Sequence, residues 1–333
     1  MSAFYGTNFA CVKILNDAMD PSLAAFIRFA IAASVFSPNL LRIIKTNPSL
    51  VKGGLEVGAY SSLGYWAQSN ALESTSASIV AFICSLAVIV VPLLDRFVDK
   101  KKGEGMWYSD FIAPVLATIG VACLELGGAD LPGVGSLWAF AQPLFFGLGF
   151  WRIEKIIKQA KEAGEAQGFT GAMMLTVAAF TLVWTLSSFF SPLLHGDAAA
   201  ATSAVASQLQ SLTSWKVICS LLWTGVVTTA LTSFGENIAM KELSAAESTV
   251  IYSTEPLWGT AFAALTLGEH IGANTIVGAV LVISACVWSS MGPSLAALVL
   301  ASQETWLASF AEVAENLATN WDELLRRLSG FGG

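Results

Sequence analysis

In the stretch "IYSTEPLWGTAFAALTLGE", Ile251 to Glu269, a carboxylate and a helix breaker, Glu255 and Pro256, interrupt an apolar run. A helix entering a bilayer near Ala246 carries Glu255 about 15 Å deep, at roughly 1.5 Å per residue, close to the middle of the hydrocarbon. An ionised carboxylate facing lipid there costs several kcal/mol, so it must face a cavity, pair with a cation or hold a proton. Pro256 lacks an N–H, which releases a carbonyl one turn earlier, in the region of Tyr252, and permits a kink. Together they describe a bent helix with a polar corner turned into a bundle. Two uses of that corner stay open: a substrate or proton site, or a structural kink whose acid is tied to the hydroxyl of Ser253 or Thr254.

Other groups carry chemistry within the apolar segments, toward their outer or inner ends. Arg28 in "FIRFA" cannot shed its proton and needs an acceptor. Glu125, Asp17 and Asp20 are candidate structural partners, and the alternative is an anionic substrate drawn to Arg28 and Lys13. Asn8, in the same first segment as Lys13, joins this candidate cavity set. Glu236 and Asn237 in one helix, and Gln68 in another, either form parts of one pathway or make interhelical hydrogen bonds worth about 0.6 to 2 kcal/mol each. Trp66, Trp151, Trp223, Tyr252 and Trp258 could wall a cavity for a flat organic solute, whereas Trp107 and Trp215 fit interfacial anchors better. The five cysteines form no CxxC pair and do not cluster with His195 or His270. No metal, no cofactor, no disulfide framework and no catalytic constellation is expected, so the chain is not read as an enzyme. The absence of a GxxxxGK[ST] loop argues against an ATP-driven pump, and nucleic acid is not an expected partner.

These residues must be positioned by membrane-spanning helices. The chain of 333 residues is 55% hydrophobic and 12% charged, a balance that belongs in a lipid bilayer. Apolar windows predict ten transmembrane helices, near 2 to 15, 21 to 41, 53 to 72, 76 to 95, 107 to 126, 133 to 152, 169 to 193, 214 to 238, 246 to 266 and 271 to 291. The first is short, as if clipped. With both ends inside, Lys and Arg gather in the inner loops, while the outer strings "NDAMDPS", "ESTSA", "LGGADLPG", "HGDAAAATSAVASQLQSLTS" and "GEHIG" contain none.

The chain also resembles itself. "GYWAQSNALESTSASIVAFICSLAVIVVP", from Gly64, aligns without a gap on "SFGENIAMKELSAAESTVIYSTEPLWGTA", from Ser233, so that "CSLAV" meets "STEPL" and Ala87 meets Pro256. Each copy covers the third and fourth helices of a five-helix half, and an odd number per half makes the halves inverted relative to each other. The expected fold is therefore all-α and integral to the membrane: ten transmembrane helices as two inverted five-helix repeats, 1–127 and 128–292, plus a C-terminal tail, 293–333.

"YGTNFACVKIL", "AAFIRFAIAA", "NALESTSASIVAFICSLAVIVVPLL" and above all "STVIYSTEPLWGTAFAALTLGEHIGANTIVGAVLVI" resemble the EamA-type branch of the drug/metabolite transporter superfamily over about residues 1 to 292. The resemblance implies a metabolite carrier, and it leaves the cargo open. It extends the localisation to a plastid envelope or a plasma membrane. The expected function is a secondary transporter of a small organic metabolite working by alternating access around a midplane cavity, with proton coupling through Glu255. The alternative is a non-transporting scaffold or complex subunit. In the tail, Trp306, Phe310, Val313, Leu317, Trp321, Leu324 and Leu328 form an apolar stripe opposite Glu304, Glu312, Glu315, Asp322 and Glu323. That acidic face predicts an amphipathic helix docking, through residues 303–328, onto the protein itself or a partner protein and not onto an anionic lipid surface.

Overall fold

Prolines preceded by a side-chain acceptor set where several helices begin. In the computed structural model, which describes residues 1–98, 112, 115, 116, 119, 120, 123, 134–194, 198–252, 254–268, 272–285, 287 and 288, the Asp20 carboxylate accepts from the backbone N–H groups of Ser22 and Leu23. Pro21 follows it at the first helical position. Asn47 and Pro48 repeat the device, with the Asn47 side chain accepting from Leu50 N. Each pair satisfies orphan N–H groups of a first turn and fixes a tight reversal between neighbouring helices.

The helices in chain order are α1 (Ser2–Ala18), α2 (Pro21–Thr46), α3 (Pro48–Ser74), α4 (Ala77–Cys84), α5 (Ala87–Phe97), α6 (Val134–Ile157), α7 (Ala163–Leu194) and α8 (Ala198–Ser211). They continue as α9 (Trp215–Glu242), α10 (Ala245–Tyr252), α11 (Glu255–Leu267) and α12 (Ala273–Ala285). Among the described residues there is no strand. Among the described residues three segments are long and apolar enough to cross a membrane: Pro21–Thr46, Ala163–Phe190 and Trp215–Glu242. Leu41, Val183, Leu186 and Leu265 stand exposed on the outside of the bundle, a surface suited to lipid.

Two expectations change. The segment near 76 to 95 is not one helix, because a turn at Ser85 and Leu86 separates α4 from α5. It occurs without a proline, at the position that aligns with the α10–α11 break. The string read as an outer loop contains α8, since its run of alanines with Gln208 and Gln210 has high helix propensity. Ser211 of α8 donates to Ala18 O at 2.7 Å, and the Asp20 N–H donates to Gln208 Oε1 at 2.8 Å, so this helix covers the α1–α2 turn. The window near 107 to 126 lies mostly outside the described residues, as do Trp107, Glu125, His195, His270 and the tail 293–333.

Phe9, Phe29, Ile43, Leu50, Phe169 and Met174 are fully buried. α2 and α3 both pack on α7, and α3 also packs on α6. α1 lies against α11 closely enough that a Cβ on Gly6 would come within 2.7 Å of Gly259 N and of Trp258 Cβ. Small residues here let two backbones meet, which is how helices gain contact in a solvent as apolar as themselves. Gly6→Leu forces α1 away from α11, and we expect it to lower the melting temperature of the detergent-purified protein by about 5 °C or more. An unchanged melting curve would contradict the close packing.

Candidate functional site

Both helix breaks open onto one enclosed space. Cys84 and Ser85, from the α4–α5 turn, and Tyr252 and Glu255, from the α10–α11 break, line the same cavity. Tyr5 and Asn8 of α1, Tyr65 and Gln68 of α3, Gln142 of α6 and Glu236 of α9 complete its polar wall. Its volume, measured as the space open to the centres of water molecules, is about 80 Å³. A single water needs about 10 to 15 Å³ on that measure, so the space admits a small organic molecule or several waters.

The acid end is built by aromatic packing. Tyr5 Oη donates to Glu236 Oε2 at 2.7 Å, and the Tyr5 ring meets Tyr252 edge to face at 5.7 Å. Phe150 stacks on Tyr252 at 5.8 Å, which fixes that ring against the cavity. Glu255 opens α11 immediately before Pro256, where the unpaired N–H groups of a first turn favour a negative charge. Thr254 Oγ1 donates to Ile251 O at 2.9 Å and not to Glu255, and Ser253 lies outside the described residues. Among the described residues no donor reaches the Glu255 carboxylate, which faces the cavity. Removing the Tyr5 hydroxyl strands the buried Glu236 oxygen. Tyr5→Phe is therefore expected to cost about 1 to 3 kcal/mol of stability, with a smaller increment in a Glu236→Gln background. Equal costs in both backgrounds, measured by denaturation, would show the pair to be uncoupled.

Arg28 sits beside the cavity and not in its wall. It is 3% exposed, its guanidinium lies 4.4 Å from the Phe29 ring centre and 5.0 Å from that of Tyr65, and Nη1 donates to Asn8 Oδ1 at 3.2 Å. The same Asn8 oxygen accepts from Thr228 Oγ1 at 3.0 Å. Asp20, read from the sequence as a salt-bridge partner, is instead occupied with capping α2 and accepts from Ser188 Oγ at 3.0 Å. Among the described residues Arg28 has no carboxylate partner, and its Nε–H has no acceptor. Two aromatic faces spread the charge that an ion pair was expected to meet.

Of the residues singled out in the sequence, Asn8, Gln68, Glu236, Tyr252 and Glu255 come together at the cavity. The others are drawn off by specific contacts. Lys13 Nζ donates to Leu72 O at 2.7 Å, satisfying a carbonyl in the last turn of α3. Trp66 packs edge to face on Trp138 at 4.8 Å. Asn237 donates to Thr170 Oγ1 at 2.8 Å, tying α9 to α7. Trp151 donates to Asp95 and Trp223 to Thr7. Trp258 is 53% exposed: its Cβ lies against Gly6 of α1, but its side chain is not in the cavity wall. Sequence reasoning missed Tyr5, Tyr65 and Gln142. The signal was present in a polar residue within an apolar run, "AFAQPLF", and in Tyr65 lying three residues before Gln68, one helical turn away.

An all-helical bundle with apolar outer faces and a buried cavity of acids, amides and aromatic rings has the architecture of a membrane transport protein. The chain belongs to the EamA-like transporter family, whose model matches residues 1–126 and 133–291. It is 25% identical over 290 residues to an uncharacterized transporter of Archaeoglobus fulgidus, covering 85% of this chain and 83% of that protein. A similar match, 25% over 301 residues, covers 84% of this chain and 87% of an uncharacterized transporter of Clostridium kluyveri. A crystal structure of a protein 14% identical superposes with a TM-score of 0.58 over 90% of this chain and 98% of its own length, a likeness of fold alone. The protein is an integral membrane transporter.

Proposed function

We propose that this transporter is a secondary carrier of a small organic metabolite and works by alternating access around the cavity. The observation that carries the reading is the meeting of two helix breaks at one polar space, Cys84 and Ser85 from one and Tyr252 and Glu255 from the other. Discontinuous helices release backbone groups and side chains toward a site that irregular backbone could not otherwise serve inside lipid. The breaks fall at positions that the internal repeat aligns, and the family match falls in two blocks, which supports ten helices in two inverted halves, 1–127 and 128–292. In this reading the halves rock about the cavity, and Glu255, which no described donor holds, carries the proton that couples transport. A plastid envelope or a plasma membrane is the proposed location, and the tail through 303–328 is the proposed docking segment. A scaffold would gain nothing from two carboxylates turned into an enclosed space.

Proteoliposomes carrying the purified protein test this. An imposed pH gradient should drive accumulation of a cargo found by screening metabolites, and a protonophore should reduce it to equilibration. Accumulation indifferent to the protonophore rejects the coupling, and absence of protein-dependent flux for any metabolite rejects the carrier.

A further inference from the structure

Among the described residues that line the cavity, the charged groups are Glu236 and Glu255, and no Lys, Arg or His joins them. Arg28 lies just behind, sharing Asn8 and Tyr65 with the wall. Two carboxylates in a wall without a cation, one of them held by the Tyr5 hydroxyl, leave a negative charge uncompensated at the other. One positive charge restores neutrality, and it can be a proton or part of a ligand. Glu236 is already engaged by Tyr5 at 2.7 Å, so the vacancy falls to Glu255. The rings of Tyr5, Tyr65, Phe150 and Tyr252 line the same space with apolar area, which suits the organic body of an amine.

A second observation bears on the other end of the cargo. Gln142 is 0% exposed, lines the cavity, and neither its amide oxygen nor its amide nitrogen has an oxygen or nitrogen partner, the Cys84 thiol being its one weak contact. A buried amide met only by a thiol is costly, and a ligand carrying a donor-acceptor group removes the cost. A carboxylate cargo would instead meet two fixed acids with no cation in the wall.

We propose that the cargo is a small organic monocation, a protonated amine that seats its ammonium on Glu255 and places a hydroxyl or amide against Gln142. The inference rests on the carrier reading and narrows its substrate class. Because the ammonium and a proton compete for one carboxylate, cargo and proton are exchanged and not carried together. The titratable groups that share an electrostatic interaction with Glu255 are Tyr65 of α3, Cys84 of α4, Glu236 of α9 and Tyr252 of α10, and Tyr5 of α1 reaches it through its bond to Glu236.

Three ligands of similar shape separate the classes in thermal-shift titrations of the purified protein: tyramine, 3-(4-hydroxyphenyl)propanoate and tyrosine, a cation, an anion and a zwitterion. Tyramine should stabilise the protein most. Lowering the pH by about two units should weaken its binding about tenfold or more, since the amine stays charged while protons fill the carboxylate. Glu255→Gln should weaken tyramine binding about tenfold or more, Glu255→Asp should retain most of it, and Gln142→Leu should narrow the preference for tyramine over 2-phenylethylamine. Tighter binding of the propanoate or of tyrosine overturns the proposal. So does binding indifferent to pH, or to Glu255→Gln in a protein whose melting curve shows it folded, and so does no binding by any of the three. Proton-driven flux of some other cargo in that last case leaves the carrier reading standing. Tyramine bound but never transported keeps the site and removes the carrier.

Discussion

Glu255→Gln is expected to abolish accumulation driven by a pH gradient in reconstituted vesicles, with initial uptake falling about 100-fold. Glutamine keeps the volume of the side chain, the break before α11 and Pro256, so the cavity retains its shape. What it lacks is a group that can bind and release a proton, and no other described side chain in the wall offers one without first giving up a partner: the Glu236 carboxylate holds the Tyr5 hydroxyl. Removing an intramembrane carboxylate also eliminates a charge that costs several kcal/mol to keep in a low-dielectric site. The variant is therefore expected to be at least as stable as the wild type, which separates a mechanistic loss from unfolding. With an amine cargo seated on the same carboxylate, counterflow exchange falls alongside pH-driven uptake. Counterflow at the wild-type rate would leave proton transfer to Glu255 and seat the cargo elsewhere. Equal pH-driven uptake by both proteins rules out the proton role altogether.

Arg28→Met is expected to raise the melting temperature and to lower transport. The guanidinium is buried, held by one amide oxygen at 3.2 Å and two aromatic faces, and its Nε–H is unsatisfied. Replacing an incompletely compensated buried charge by an apolar side chain of similar length commonly gains about 1 to 4 kcal/mol, which is about 3 °C or more in a chain of this size. Methionine fills the space between Phe29 and Tyr65 without demanding an acceptor. The positive charge that stands behind Asn8 and Tyr65 of the wall is lost, and the surroundings of the two carboxylates become more negative. That excess holds a proton or a cargo cation too tightly for release, so turnover falls about tenfold while apparent affinity for a cation increases. Melting curves and transport kinetics on one preparation check both halves. A variant that melts lower than wild type would show that Arg28 has a stabilising partner, and unchanged turnover would confine Arg28 to packing.

The sequence by itself determined a membrane-embedded helical chain, because apolar windows and the scarcity of charge are read residue by residue and need no knowledge of neighbours. The start of the second helix was legible at Pro21 after Asp20, since a cap and a fixed φ act within one turn, whereas the third was placed from 53 although Asn47 and Pro48 begin it five residues earlier. The acid-proline corner at Glu255 and Pro256 announced a break for the same local reason. The tertiary structure decided which polar groups converge. Glu236 and Asn237 are adjacent in sequence, yet one faces the cavity and the other bonds Thr170 on α7, because neighbouring residues on a helix point about 100° apart and only packing tells which direction is inward. Arg28 showed the same limit: charge alone suggested an acid, while the fold placed Phe29, Tyr65 and Asn8 around it and left Asp20 to cap α2. The break between α4 and α5 carried no proline to mark it, and α8 hid in a string without Lys or Arg. Local chemistry is written along the chain, but a cavity is a relation among helices distant in sequence, and the side chains that form it are chosen by the rotation of each helix against the others.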